Sequence, residues 1–261
     1  MSETIALLQI ASLGLAACCA ISLLVWAASV PLRDVSIVDS AWSLLVLAPA
    51  LVALAFAPPA SPRAPWVLLL AGVWALRLAL YITWRHWGHP EDHRYRAIRE
   101  RHEPRFAWKS LYLVFGLQAL LAWVVALPLV AAMTSTVSWN VLDAIGVALF
   151  LLGLLIEALA DVQLALFKAD PGNRGRVMAQ GLWRYSRHPN YFGEFCVWWG
   201  LWLIALAAGA WWTVVSPLLM SALLLKVSGV TLLEKDIGER RPAYREYIAH
   251  TNAFFPWKPR A

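Results

Sequence analysis

Five ionisable side chains stand inside apolar runs of this chain: Asp39, Arg77, Glu157, Asp161 and Lys226. A charge at the centre of a helix in hydrocarbon costs about 2.5–3.5 kcal/mol by insertion scales, so each needs a partner or a function. Glu157 and Asp161 are four residues apart, which stacks two carboxylates on one helix face. They suit acceptors for a polar ligand or for neighbouring cations. The alternative is a lattice of interhelical ion pairs, with Asp39 and Arg77 as its example. Gln118 and Gln163 suit interhelical hydrogen bonding.

Two polar loops carry denser motifs. One runs Lys168-Ala-Asp-Pro-Gly-Asn-Arg-Gly-Arg176 and continues as Gly181-Leu-Trp-Arg-Tyr-Ser-Arg-His-Pro-Asn-Tyr-Phe-Gly-Glu194. Its Gly, Pro and Asn make turns, and Pro189 suits the start of a helix whose free N–H groups favour anions. Arg174, Arg176, Arg184 and Arg187 can bind phosphate through forked, charge-assisted contacts or bind anionic lipid head groups. The other loop reads Trp87-Gly-His-Pro-Glu-Asp-His-Arg-Tyr95. Its His residues do not make a metal cluster, since the whole chain holds six His and a membrane di-iron site needs more from several segments. Glu91, Asp92, Arg94 and Tyr95 are read as bracing the loop by local polar contacts. No Gly-x-Gly-x-x-Gly after a strand, P-loop or Gly-x-Ser-x-Gly motif is present.

The elements that position these residues are membrane helices. Of 261 residues, 61% are hydrophobic and 15% charged, against about 25% charged in soluble domains. That composition excludes a disordered chain, a disulfide scaffold and a water-soluble globule. Seven stretches reach the roughly 20 apolar residues that a spanning helix needs: 5–30, 35–57, 64–83, 110–133, 141–167, 191–210 and 211–233. The expected fold is therefore all-α, one integral membrane domain over 1–261.

Eighteen of the 22 Lys and Arg residues fall in the loops after the third and fifth spans and in the tail. By the positive-inside rule the N-terminus lies outside and the C-terminus in the cytoplasm. The net charge of +6 follows from this distribution and does not indicate nucleic acid. The Trp-rich sixth span suits an interfacial belt and packing surface. The three Cys, two of them adjacent in an apolar run, make no disulfide framework.

The segment from Trp183 to Glu194, the helix end from Asp161 to Lys168, and the tail from Leu232 through Tyr244-Arg-Glu-Tyr247 to Phe255-Pro-Trp257 resemble the membrane steroid 5α-reductase family. The closer likeness is to its bacterial branch, whose Gly-x-Pro-Glu-Asp-x-Arg-Tyr loop is matched by Gly88 to Tyr95. The resemblance implies a seven-span bundle that binds NADPH from the cytoplasmic side, while a hydrophobic substrate enters from the bilayer; it makes the helices in 5–133 the substrate side and 141–257 the cofactor-binding half. It implies cofactor contacts at Glu157, Asp161, Lys168, Arg176, Arg187, His188, Asn190 and Glu194, with Lys226 and Tyr247 as further additions. Arg184 joins Arg176 and Arg187 as a phosphate donor. Residence in a bacterial inner membrane, or in the endoplasmic reticulum of a eukaryote, follows from the same likeness.

The family's catalytic pair is an acid near the start of the second span and a Tyr in the third. Asp39 matches the acid; Trp74 occupies the matching Tyr position, and the nearest Tyr is Tyr81. The implied reaction is hydride transfer from NADPH to the β-carbon of an enone. Asp39, beside Arg77, would work with Tyr81 or a bound water to hydrogen-bond the carbonyl oxygen and stabilise the enolate. A bare carboxylate would repel an enolate, so Asp39 must be protonated or must orient a neutral donor. No metal and no protein partner are expected. Two other classes remain open. The His-Pro-x-Tyr-x-Gly signature is shared with S-adenosylmethionine-dependent membrane methyltransferases such as isoprenylcysteine carboxyl methyltransferase. A non-enzymatic seven-helix sensor or transporter is the third.

Overall fold

The computed structural model describes residues 3–56, 61–227, 230, 234 and 242–260, and among them every regular element is helical. Among the described residues five helices are long and apolar enough to cross a bilayer. They are α1 (Glu3–Leu32), α2 (Ile37–Phe56), α3 (Ala64–His86), α5 (Phe106–Thr134) and α6 (Val141–Ala169). A short polar helix, α4 (His93–His102), precedes α5. After α6 come α7 (Pro189–Ala207), the shorter apolar α8 (Trp211–Lys226) and α9 (Ala243–His250). In hydrocarbon only structures that satisfy their own backbone hydrogen bonds are stable, which is why the apolar runs fold as helices.

The chain divides into two compact units. The first comprises Met1–Trp139 with Ala205–Thr213, and the second Asn140–Ile204 with Val214–Ala261. In the first, α2 packs against both α1 and α3. It is its most enclosed span, with 56% of its apolar window buried against 22% for α1. At the end where α2 begins, Val35, Val38, Tyr95, Phe106, Val114 and Phe115 form a buried cluster. The loop helix α4 is thereby fixed to the spans rather than left in solvent. Asp92 caps α4 by accepting a hydrogen bond from the Arg94 N–H at 2.9 Å, the usual stabilisation of a helix start.

In the second unit α6 and α7 run antiparallel and touch through their backbones. Asn140 and Asp143 close a capping box at the start of α6. Gly146 and Gly153 on α6 face Gly200 and Gly193 on α7. A Cβ added at Gly153 would stand 2.6 Å from the Gly193 carbonyl oxygen and 2.7 Å from the Val197 nitrogen. One added at Gly193 would stand 2.6 Å from the Glu157 nitrogen. These neighbours are main-chain atoms with nowhere to move, so the seven-residue glycine spacing on each helix sets their separation. Gly153→Ala or Gly193→Ala is expected to lower stability by ~1–3 kcal/mol through overpacking. The check is thermal melting of the detergent-solubilised protein, with Gly72→Ala, which meets nothing within 4 Å, as the control.

Candidate functional site

In the first unit the site is built around Asp39, the third residue of α2. Its Oδ2 accepts a hydrogen bond from Arg94 Nη2 at 2.7 Å and its Oδ1 one from the Tyr95 hydroxyl at 2.6 Å. Gln118 Nε2 donates to the Tyr95 oxygen at 3.1 Å. Gln118 follows a π-helical turn, Leu111–Gly116, in α5; such turns alter helix register and often mark functional positions. Arg94 also binds Asp92, through Nε at 3.0 Å and Nη2 at 3.2 Å.

The loop that delivers Arg94 and Tyr95 is fastened to the turn before α2. Glu91 Oε1 accepts the Val35 N–H at 2.9 Å, and the Asp92 N–H donates to Ser36 Oγ at 2.7 Å. Arg99 forks onto Glu91, from Nε at 2.9 Å and Nη2 at 2.7 Å, with its guanidinium 4.6 Å from the Phe106 ring centre. His86 at the end of α3 meets Asp34 at 3.1 Å. The bracing expected of Glu91, Asp92, Arg94 and Tyr95 is thus partly long-range, reaching Val35, Ser36 and Asp39 some 55 residues back.

Burial pushes the Tyr95 hydroxyl pKa well up, and the Asp39 charge adds to it, so the phenol stays protonated. Burial works against the Arg94 charge, but Asp92 and Asp39 outweigh it and hold the guanidinium charged.

The cation at Asp39 is Arg94, and this corrects the expected Asp39–Arg77 pair. Arg77 lies nine residues before the end of α3, which at 1.5 Å per residue sets it ~10 Å deeper than Asp39. Tyr81 is likewise not the phenol at Asp39. Its ring lies 6.1 Å from that of Trp84 and 5.7 Å from the Arg85 guanidinium. Tyr95, which sequence reasoning treated as a loop brace, occupies that place.

In the second unit the glycine seam brings Glu157, Asp161, Asn190 and Glu194 to one end of the α6–α7 pair. The three carboxylates are all buried. Asn190 Nδ2 donates to Asp161 Oδ1 at 3.2 Å, and Trp198 Nε1 to Glu194 Oε1 at 3.0 Å. Gln163 accepts the Leu182 N–H at 3.0 Å and lies against Gly181. It therefore anchors the loop rather than a neighbouring helix. A side chain at Gly181 would meet Gln163, and the backbone there has φ of +57°, which glycine tolerates.

The basic loop residues divide sharply. Lys168, Arg174, Arg176 and Arg184 are exposed, as is Lys226 on its π-helical turn. Arg187 and His188 are buried. Arg187 forks onto Glu234, from Nε and Nη2 each at 2.7 Å, and His188 Nε2 donates to the same carboxylate at 2.9 Å. Tyr247 donates to the Trp183 carbonyl. Glu234 lies in the tail that carries the resemblance, yet sequence reasoning did not single it out, because its partner Arg187 sits 47 residues away.

Burial opposes the Glu234 charge, yet the bonds from Arg187 and His188 prevail and hold its pKa at about 2, against 4.5 ordinarily. A carboxyl depressed in the folded state contributes stability that is complete above the unfolded pKa and is lost as pH falls toward the folded one. The melting-temperature advantage of wild type over Glu234→Gln is therefore expected to be flat above about pH 5 and to shrink below it. Thermal melts of both proteins across that range check this.

The described side chains of the second unit offer contacts for a polar, phosphate-bearing ligand. Exposed guanidinium groups suit phosphate, while buried carboxylates and Asn190 suit amide and ribose donors.

A family model described as "Protein of unknown function (DUF1295)" matches residues 25–251. An uncharacterized protein of Schizosaccharomyces pombe is 29% identical over 263 residues, a match that covers 88% of this chain and 75% of the yeast protein. No solved structure matches.

Proposed function

The chain belongs to the DUF1295 family, and from that premise we propose that it is an integral membrane reductase that uses NADPH to saturate a carbon–carbon double bond conjugated to a carbonyl. The substrate is a hydrophobic enone, a 3-oxo-Δ4 steroid or a comparable lipid, that enters from the bilayer. Seven spans with an external N-terminus and a cytoplasmic C-terminus accommodate this reading, α7 and α8 completing the five longer helices. The resemblance to steroid 5α-reductases, and to their bacterial branch, supports it.

The observation that carries the proposal is the Asp39–Tyr95 pair, 2.6 Å apart, in which Tyr95 is buried and Asp39 half-buried. A carboxylate alone would repel an enolate. Here Asp39 orients a neutral phenol, and Arg94 balances its charge. Gln118 donates into the phenol oxygen and the single phenolic hydrogen points to Asp39, so the phenol would stabilise an enolate by swinging that hydrogen from Asp39 to the carbonyl oxygen of the substrate. Hydrogen bonding to that oxygen stabilises the developing enolate. Tyr95 thus takes the part that the resemblance implied for a third-span Tyr. In the second unit, Arg174, Arg176 and Arg184 would hold phosphate groups, and Glu157, Asp161, Asn190 and Glu194 would accept or donate to amide and ribose groups. A bound NADPH would supply the hydride and leave as NADP+, and a proton from solvent would complete the saturated α-carbon.

Isothermal titration of the detergent-purified protein with NADPH, NADH and S-adenosylmethionine tests the reading. Binding of NADPH and not of S-adenosylmethionine is expected. The reverse would make the protein a methyltransferase, and binding of none of them would leave the reductase reading without its cofactor.

A further inference from the structure

The resemblance to reductases counts Arg187 and Tyr247 among cofactor contacts, but their hydrogen bonds describe a different task. Besides its fork onto Glu234, Arg187 donates through Nη1 to the carbonyls of Ile248 (3.2 Å) and Thr251. Its N–H donates to the Asn252 carbonyl at 2.9 Å. Around it, Ser186 Oγ donates to the Phe254 carbonyl at 2.7 Å, the Trp257 N–H to the Tyr185 carbonyl at 3.1 Å, and Tyr247 to the Trp183 and Ser186 carbonyls. Phe254 and Phe255 then meet Phe192 and Phe195 of α7 edge-on, at centroid distances of 5.7–6.0 Å. Residues 243–257 therefore lie as a strap along the loop 183–188, one to two helical turns from Asn190 and Glu194.

We propose that Arg187 is a positioning residue, a latch that with Glu234 fastens the C-terminal strap onto the loop entering α7, and that it gives no donor to a cofactor phosphate. Three of its nitrogens, Nε, Nη1 and Nη2, already donate to protein acceptors, and its side chain is 8% exposed. Arg184 and Arg176, by contrast, are exposed. Latch and phosphate contact are thus divided among arginines that look equivalent in the sequence. Tyr247 is the second fastener, since its phenol reaches the loop backbone from within the strap. The same carboxylate that takes Arg187 takes His188 Nε2, so opening the latch also frees the His188 ring, which stacks on Tyr191 at 5.5 Å.

The part of this inference that concerns the cofactor rests on the reductase reading, and the experiment keeps the two apart. Tryptic cleavage after Arg245, inside α9, requires the strap to open locally, and cleavage rates follow such openings. In nucleotide-free, detergent-solubilised full-length protein, Arg187→Ala is expected to accelerate that cleavage about tenfold. Combining Arg187→Glu with Glu234→Arg should slow cleavage again relative to either single change. Where Arg187→Ala yields no folded protein, Arg187→Lys, which keeps charge but loses the fork, should give an intermediate acceleration.

With nucleotide present, loss of the latch should weaken NADPH and NADH by the same factor and leave their ratio unchanged. The proposal is overturned if cleavage after Arg245 is unaffected by every one of these variants. It is equally overturned if Arg187→Ala weakens NADPH while NADH binding stays as in wild type. Should wild-type protein bind neither nucleotide, the reductase reading fails and the cleavage measurement alone decides the latch.

Discussion

Asp39→Ala is expected to lower turnover of an enone about a thousandfold, within the range that a positioned acid supplies, while NADPH affinity changes by less than about threefold. Asp39 receives Arg94 and Tyr95 and belongs to the first unit, whereas the groups suited to the cofactor belong to the second. Its loss leaves the Tyr95 phenol unoriented and the Arg94 charge half-paired, without touching a phosphate donor. Tyr95→Phe, which keeps the ring in its buried cluster and removes only the hydroxyl, should cost about a hundredfold in turnover. Tyr81→Phe should cost little, and this contrast separates the two candidate phenols. Steady-state kinetics of the three variants, with cofactor titrations beside them, give the answer. Retained turnover in Asp39→Ala would remove the residue from catalysis. A large loss in Tyr81→Phe with none in Tyr95→Phe would restore the third-span Tyr.

The second large effect concerns the choice of cofactor. NADPH carries one 2′-phosphate more than NADH, a dianion that needs charge-assisted donors. Each hydrogen bond to a charged partner contributes about 1.5–3 kcal/mol, and about 1.4 kcal/mol is tenfold in affinity. Two contacts from exposed guanidinium groups, reduced by solvent screening, are expected to favour NADPH by roughly 100-fold. Arg176 is the first candidate donor. It follows a turn in which Asp170 Oδ1 accepts the Gly172 N–H at 2.9 Å and the Arg176 N–H donates to the Asn173 carbonyl at 3.0 Å. That turn presents Arg174 and Arg176 outward. Arg176→Ala should erode the preference by about tenfold and leave weak NADH binding nearly unchanged. Competitive titrations on wild type, Arg176→Ala and Arg184→Ala measure it. Equal affinities of wild type for the two nucleotides would show that these arginines serve lipid or topology instead.

How far the sequence reveals this arrangement depends on the distance over which each residue acts. Long apolar runs announce α1, α2, α3, α5 and α6 because burial in lipid is a property of a run itself. Asp39, Glu157 and Asp161 stand out for the same reason, being costly where they are. Tyr95 does not, since its meaning comes from Asp39, 56 residues earlier. A phenol in a polar loop looks ordinary until the loop is folded back onto the turn before α2. Arg187 shows the converse. Its motif marks it clearly, yet only its partners at Glu234, Ile248 and Thr251 separate a latch from a phosphate ligand. The glycines at 146, 153, 193 and 200 are visible as a seven-residue spacing on two helices. What they do becomes evident only when α6 and α7 are seen in backbone contact.

The central claim is hydride transfer to the β-carbon of an enone, and the most direct measurement follows the hydride itself. Purified protein in lipid nanodiscs is given NADPH deuterated at the transferable position together with a 3-oxo-Δ4 steroid or a simpler lipid enone, and the product is examined by mass spectrometry and NMR. The account predicts one deuterium per product molecule, at the carbon β to the carbonyl, with one NADPH oxidised for each double bond lost. Unlabelled product, deuterium at the carbonyl carbon, or no NADPH oxidation with either enone would contradict it.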